Sequence, residues 1–221
     1  MAIAVVVEAG NKRFFASALD WPGWSRAGSN EAGALEALAA YADRYRVVAR
    51  CAGARFPGAG AARSFTVVER LPGSATTDFG APGAIAASEW AEPTPDQARR
   101  LAALLEAAWA VLNDVVGAAP PALRKGPRGG GRDRDAIVGH VLAAESAYLR
   151  KVGLRLAAPP QANPAAVAAY RAAVAAAVRD PHTIPPPGPR TKPWPLRYLV
   201  RRTAWHALDH AWEIEDRREP R

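Results

Sequence analysis

Cysteine is almost missing from this chain: Cys51 is the single one among 221 residues. One cysteine excludes an intramolecular disulfide, and a thiolate metal cluster is not expected. No run of 18 or more uncharged apolar residues occurs, which argues against a membrane span. The opening residues, MAIAVVVEAG, lack the basic segment and long apolar stretch of a signal peptide. The expectation that follows is a cytoplasmic protein. Histidine is scarce as well, with four residues, so their placement carries information.

Apolar residues are plentiful, at 49%, enough for a substantial core. The character of the chain changes near residue 95, which predicts two domains. Charge changes there too. Residues 1–96 carry nine Lys/Arg against ten Asp/Glu, a net of −1, whereas residues 97–221 carry 20 against 11, a net of +9. A basic half points to anionic partners. Its arginines are scattered, however, and no interleaved aromatic run offers a base-stacking platform, so nucleic-acid binding is not expected.

The first part reads as α+β. AIAVVVE (2–8) and RFFASAL (13–19) are strands joined by a turn at AGNK, a hairpin. DWPGWSRAG follows as an irregular stretch punctuated by Pro22 and Gly23. A helix is predicted from about 30 to 49, capped at Ser29, with Leu35, Leu38, Ala42, Tyr45 and Val48 on one face. RSFTVVERL (63–71) is a further strand. Residues 73–94, rich in Gly, Pro, Ser and Thr, read as a linker with a short strand around Ile85. The hairpin followed by Asp20, Pro22, Gly23, Gly28, Asn30, Glu31 and Ala32 resembles the HicB-like antitoxin fold over residues 1–72. That resemblance implies a small module used for binding.

From Pro95 the pattern is helical. Thr94, Pro95 and Gln97 make a capping signal, and Leu101, Leu104, Leu105, Ala108, Trp109 and Leu112 form a stripe. A loop at 117–133 leads to a second helix bearing Ile137, His140, Val141, Ala144 and Tyr148 on one face. Asn163 caps a third helix that begins at Pro164. A proline-rich crossover, PHTIPPPGPRTKPWP, precedes the last helix, predicted from about 195 to 216. The expected architecture is thus an α+β N-terminal domain followed by an all-α four-helix bundle with long connections, over residues 95–217.

His206 and His210 are four residues apart on the last helix, so their imidazoles share one stripe. Such a pair can chelate a divalent ion, although helix neighbours of this kind often do no more than share a face. A third ligand is expected from His140, on the inward face of the second helix. Three histidines leave open positions on an ion, the layout of a catalytic site. Glu213 lies on the stripe of His206 and His210 and is the candidate catalytic group, to orient a ligand histidine or carry a proton. Asp209 has a similar position. Arg202, one turn before His206, can meet an anionic substrate; a surface salt bridge is its more ordinary use. Trp205, Trp212 and Tyr148 read as core or pocket wall.

GHVLAAE in the second helix and LRYLVRRTAWHALDHAWEIED in the fourth resemble the DinB-like superfamily, which includes thiol-dependent transferases and mycothiol-dependent maleylpyruvate isomerases. The matching positions are His140 with Glu145, and His206 and His210 after Arg201. The resemblance implies a four-helix bundle, a three-histidine site for Zn or Ni, and a homodimer. Members commonly carry a Trp-Ser-hydrophobic segment before the second helix; here GPRGGGRDRDAIVGH stands in its place. The function expected is a metal-dependent enzyme, a thiol transferase or hydrolase, that activates a low-molecular-weight thiol or water for a small-molecule substrate. The alternative is a non-catalytic regulatory protein that uses its HicB-like part to hold a partner.

Overall fold

The computed structural model describes residues 2–57, 64–126, 130–188 and 191–218. It is a mixed α+β structure with a four-stranded sheet and seven α-helices among those residues. Strands β1 (Ile3–Ala9), β2 (Phe14–Ala18), β3 (Ser25–Gly28) and β4 (Phe65–Pro72) form the sheet in the order β3-β2-β1-β4. β1 is antiparallel to β2, as the predicted hairpin requires, and parallel to β4. Helices α1 (Glu31–Ala40) and α2 (Ala42–Cys51) lie between β3 and β4 in the chain, on the crossover from one edge of the sheet to the other. Arg63, at the start of the predicted 63–71 strand, lies outside the described residues, as do 127–129 within the expected loop and 189–190 within the proline-rich crossover.

Three local expectations are corrected. The predicted 30–49 helix is two helices that meet at Tyr41, whose backbone (φ −91°, ψ 3°) leaves the helical region. No Gly or Pro announces this break. Tyr41 packs edge-on against Trp212, with the Arg26 guanidinium 3.9 Å from its ring centroid, so tertiary contacts select the bend. The cap is Asn30, whose Oδ1 accepts from the Gly33 amide, rather than Ser29. Within the stretch read as irregular, residues 25–28 form an edge strand, β3.

Residues 73–94 hold no strand at Ile85. They hold helix α3 (Ala75–Phe79), capped by Ser74 and Thr77, and a 3-10 turn at Ala87–Trp90. This segment is fastened by Glu8, a buried carboxylate on the face of β1 opposite Val5 and Val7. Glu8 accepts hydrogen bonds from the Thr77 hydroxyl and from the Gly83 and Ala84 amides at 3.0 and 2.9 Å. Hydrophobic patterning cannot reveal such a tether, because its partners are one hydroxyl and two backbone amides, 69 to 76 residues away.

The remaining helices are α4 (Pro95–Ala118), α5 (Arg134–Leu149), α6 (Pro164–Arg179) and α7 (Leu196–Arg217). The Thr94–Gln97 capping box and the Asn163 cap form as expected. α7 packs against α4 and α5, and α6 against α4. By length and composition α4 could cross a membrane, but over half of its most apolar window is buried, with α2, α6 and α7 packed on the helix. The change in composition near residue 95 is not a break in packing. One hydrophobic core runs from Val5, Trp24 and Tyr45 through Leu104 and Leu105 to Leu208 and Trp212.

The DWPGW turn is the joint between sheet and helices. Gly23 has φ +95°, and a Cβ there would stand 2.7 Å from Leu208 Cδ1 on α7. Only glycine permits both the backbone angle and the approach. Tyr45 donates to the Pro22 carbonyl at 2.8 Å, and Arg100 on α4 donates to the Asp20 carbonyl at 2.6 Å. Arg26 and Arg44 form ion pairs with Asp209 and Asp216 of α7. The helix that carries two of the four histidines is thereby held by the N-terminal sheet as well as by its helical neighbours.

Candidate metal centre

α7 is buried on most of its circumference, and its helical period places His206 and His210 one turn apart. α5 crosses it so that His140 meets both. His140 Nε2 lies 3.2 Å from His206 Nε2, and ring centroids are 4.9 Å (140–206), 5.1 Å (140–210) and 4.7 Å (206–210) apart. One ring nitrogen from each histidine falls within 4.8 Å of the others. Two nitrogens bound to one tetrahedral ion at about 2.0–2.1 Å would sit roughly 3.3 Å apart. The His140–His206 spacing matches that requirement.

The electrostatics favour ligation. Burial pushes the His206 pKa down to about 2, helped by His210 and Arg202 and to a lesser degree by His140 and Arg132. His140 is lowered by burial first, then by His210 and Arg132. Both imidazoles are therefore neutral at pH 7 and keep a lone pair for an ion. His206 Nδ1 is buried without a hydrogen-bond partner. Without a ligand, two facing neutral imidazoles share at most one hydrogen bond, and the buried His206 Nδ1 stays unpaired. This set of donors fits a divalent cation.

Glu213 sits beside the centre and not across it. Its Oε2 is 2.7 Å from His210 Nδ1, and its Oε1 accepts from Arg217 at 2.5 Å. With Nδ1 occupied, Nε2 is the His210 nitrogen left for an ion, the usual carboxylate–histidine–metal arrangement. Hydrogen bonding from His210, ahead of Arg217, holds the Glu213 carboxyl below its ordinary pKa.

A cleft of about 460 Å³ opens beside the histidines. Tyr148 and Trp205 wall it, as expected, whereas Trp212 is in the core. Asp209 reaches the cleft but is paired with Arg26 at 2.9 Å. Glu145 does not reach the histidines. Buried between α4, α5 and α6, it accepts from Trp109 Nε1 at 2.8 Å and faces Arg171 at 3.4 Å. His182 lies apart, on the proline-rich crossover. Arg202, for which a surface salt bridge was the ordinary expectation, is buried in the cleft wall without an acidic partner among the described residues.

Sequence reasoning missed Arg132, at the rim, and the opposite wall built by Thr76 and Phe79 of α3. Arg132 stands eight residues before His140, and that proximity was a usable signal. Nothing in the local sequence marks α3, which reaches the site only because Glu8 anchors its loop. Compared with protein-family models, with curated proteins and with solved structures, the chain finds no match.

Proposed function

We propose that the protein is a metal-dependent enzyme whose centre is His140, His206 and His210, with a DinB-like bundle and a HicB-like N-terminal part. The observation that carries this is the convergence of three imidazoles from two helices, 66 residues apart in sequence, beside an open cleft. Zn or Ni fits the nitrogen donors. An ion on three neutral imidazoles supplies an undiminished positive charge that lowers the pKa of a small thiol or of water. His140, His206 and His210 would hold it, Glu213 fixes the tautomer and direction of His210, and the aromatic walls limit access of bulk water. The cleft beside the histidines favours an enzyme over a passive binding platform.

Metal analysis of the purified protein tests this. One equivalent of a transition metal is expected in wild type, with strong depletion in His140→Ala, His206→Ala and His210→Ala. Wild type without stoichiometric metal, or His210→Ala with equal metal, would sink the proposal. Calorimetric titration with a small thiol then separates the two chemistries. A binding heat that His206→Ala abolishes assigns the thiol, and its absence assigns water.

A further inference from the structure

Among the described residues three arginines are buried, and two of them have an acid. Arg201 makes two hydrogen bonds to Glu89, at 2.7 and 2.8 Å, and Arg171 faces Glu145. Arg202 is buried to 8% exposure, yet no carboxylate pairs with it among the described residues. Its one hydrogen bond there is a long one, 3.4 Å from Nη1 to the Pro82 carbonyl. The guanidinium lies 4.7 Å from the Trp205 ring centroid and 5.3 Å from that of Tyr148. Two aromatic faces thus flank it, and its remaining donors, which have no partner among the described residues, are open to the cleft. Buried charges in proteins are ordinarily paired, so this arrangement lacks a partner.

Arg202 lines the same cleft as the histidines. The acid nearest to hand there, Asp209, is already bound by Arg26. Arg132 stands exposed at the rim and adds positive charge. We propose that the cleft takes a small carboxylate-bearing substrate, with Arg202 receiving the carboxylate two-pronged and Arg132 attracting it from solvent. A planar guanidinium fork matches a carboxylate, and the ring walls match an apolar body. The cleft, at about 460 Å³, has the size of a small-molecule site. The inference rests on the three-histidine centre as the place where chemistry occurs. It assigns what that centre acts on.

The test is calorimetry on the metal-loaded, full-length protein with benzoate, phenylacetate and succinate, and with benzamide and inorganic phosphate as comparators. At least one carboxylate should bind, and benzamide more weakly. Arg202→Met should weaken the carboxylate by at least about tenfold, as loss of one partner from a buried charged pair does. Arg202→Lys, which keeps the charge without the fork, should fall between. The exposed Arg155→Gln should match wild type. Repeating the titration in His210→Ala separates this contact from direct ligation of the ion, because Arg202-dependent binding survives there. Should Arg202→Met fail to fold, as judged by its melting curve, Arg202→Lys against Arg155→Gln decides. No binding by any of the three carboxylates, equal affinity with and without Arg202, or tighter binding of phosphate would overturn the proposal. Failure of the metal centre itself appears separately, as wild type without metal.

Discussion

Glu213 holds His210 by its Nδ1, at 2.7 Å, from one turn further along α7. The carboxylate has a second partner in Arg217, so its own orientation is set from the other side. This chain of contacts aims an imidazole and is not placed to attack a substrate.

Glu213→Gln should therefore lower metal affinity by roughly tenfold or more, the usual effect of losing such an outer partner, while the fold stays intact. Competition with a chromophoric chelator measures it. Unchanged affinity with a large drop in turnover would instead make Glu213 a proton carrier.

The depressed His206 basicity predicts loss of stability in acid. In the unfolded chain this imidazole titrates near its ordinary pKa of 6.5, and in the folded protein near 2. Between those values the unfolded state binds a proton that the folded state refuses. Stability is thus fully present above about pH 6.5 and falls as pH drops, by about 1.4 kcal/mol per unit for one such group. His140 contributes with the same sign. Urea midpoints from pH 7.5 to 5.5 should fall in wild type and fall less in His206→Gln.

Glu8→Ala removes the acceptor of three hydrogen bonds and strands the Gly83 and Ala84 amides. A cost of about 1–3 kcal/mol per buried group left unpaired is expected, spread between global stability and local opening. Hydrogen exchange should localise the loosening to residues 74–86. Because Thr76 and Phe79 wall the cleft, small-molecule affinity should weaken in parallel.

Glycine substitutions should separate close approach from backbone freedom. A Cβ at Gly28 would stand 2.2 Å from the Ala34 amide nitrogen, whereas at Gly53 it would meet nothing within 4 Å. Gly28→Ala should destabilise by more than about 2 kcal/mol through forced backbone shifts. Gly53→Ala, with φ +65°, should cost only about 1 kcal/mol of conformational strain. Thermal denaturation of the two variants compares them directly.

Helix period and capping chemistry are local, and they were legible. The Thr94–Gln97 box, the Asn163 cap and the β1–β2 hairpin all lie where residue type and spacing predict. The bend at Tyr41 and strand β3 were not, since each is selected by packing: Tyr41 against Trp212, and β3 by pairing with β2. The 73–94 stretch reads as a linker because it is rich in Gly, Pro, Ser and Thr. Its order comes from Glu8 and Arg201, polar anchors that leave no hydrophobic pattern.

By itself the sequence determined that His206 and His210 lie on one face of a helix, because 3.6 residues per turn leaves no other choice. It also determined that His140 rides a helix of its own. That the second helix crosses the first with two Nε2 atoms 3.2 Å apart was decided by tertiary packing alone. So was the difference between neighbouring arginines on α7. Arg201 meets Glu89 from a distant loop, while Arg202 turns to the cleft between two aromatic rings and meets no acid among the described residues. Adjacent residues on a helix point about 100° apart, and what each one finds there depends on the elements packed around it.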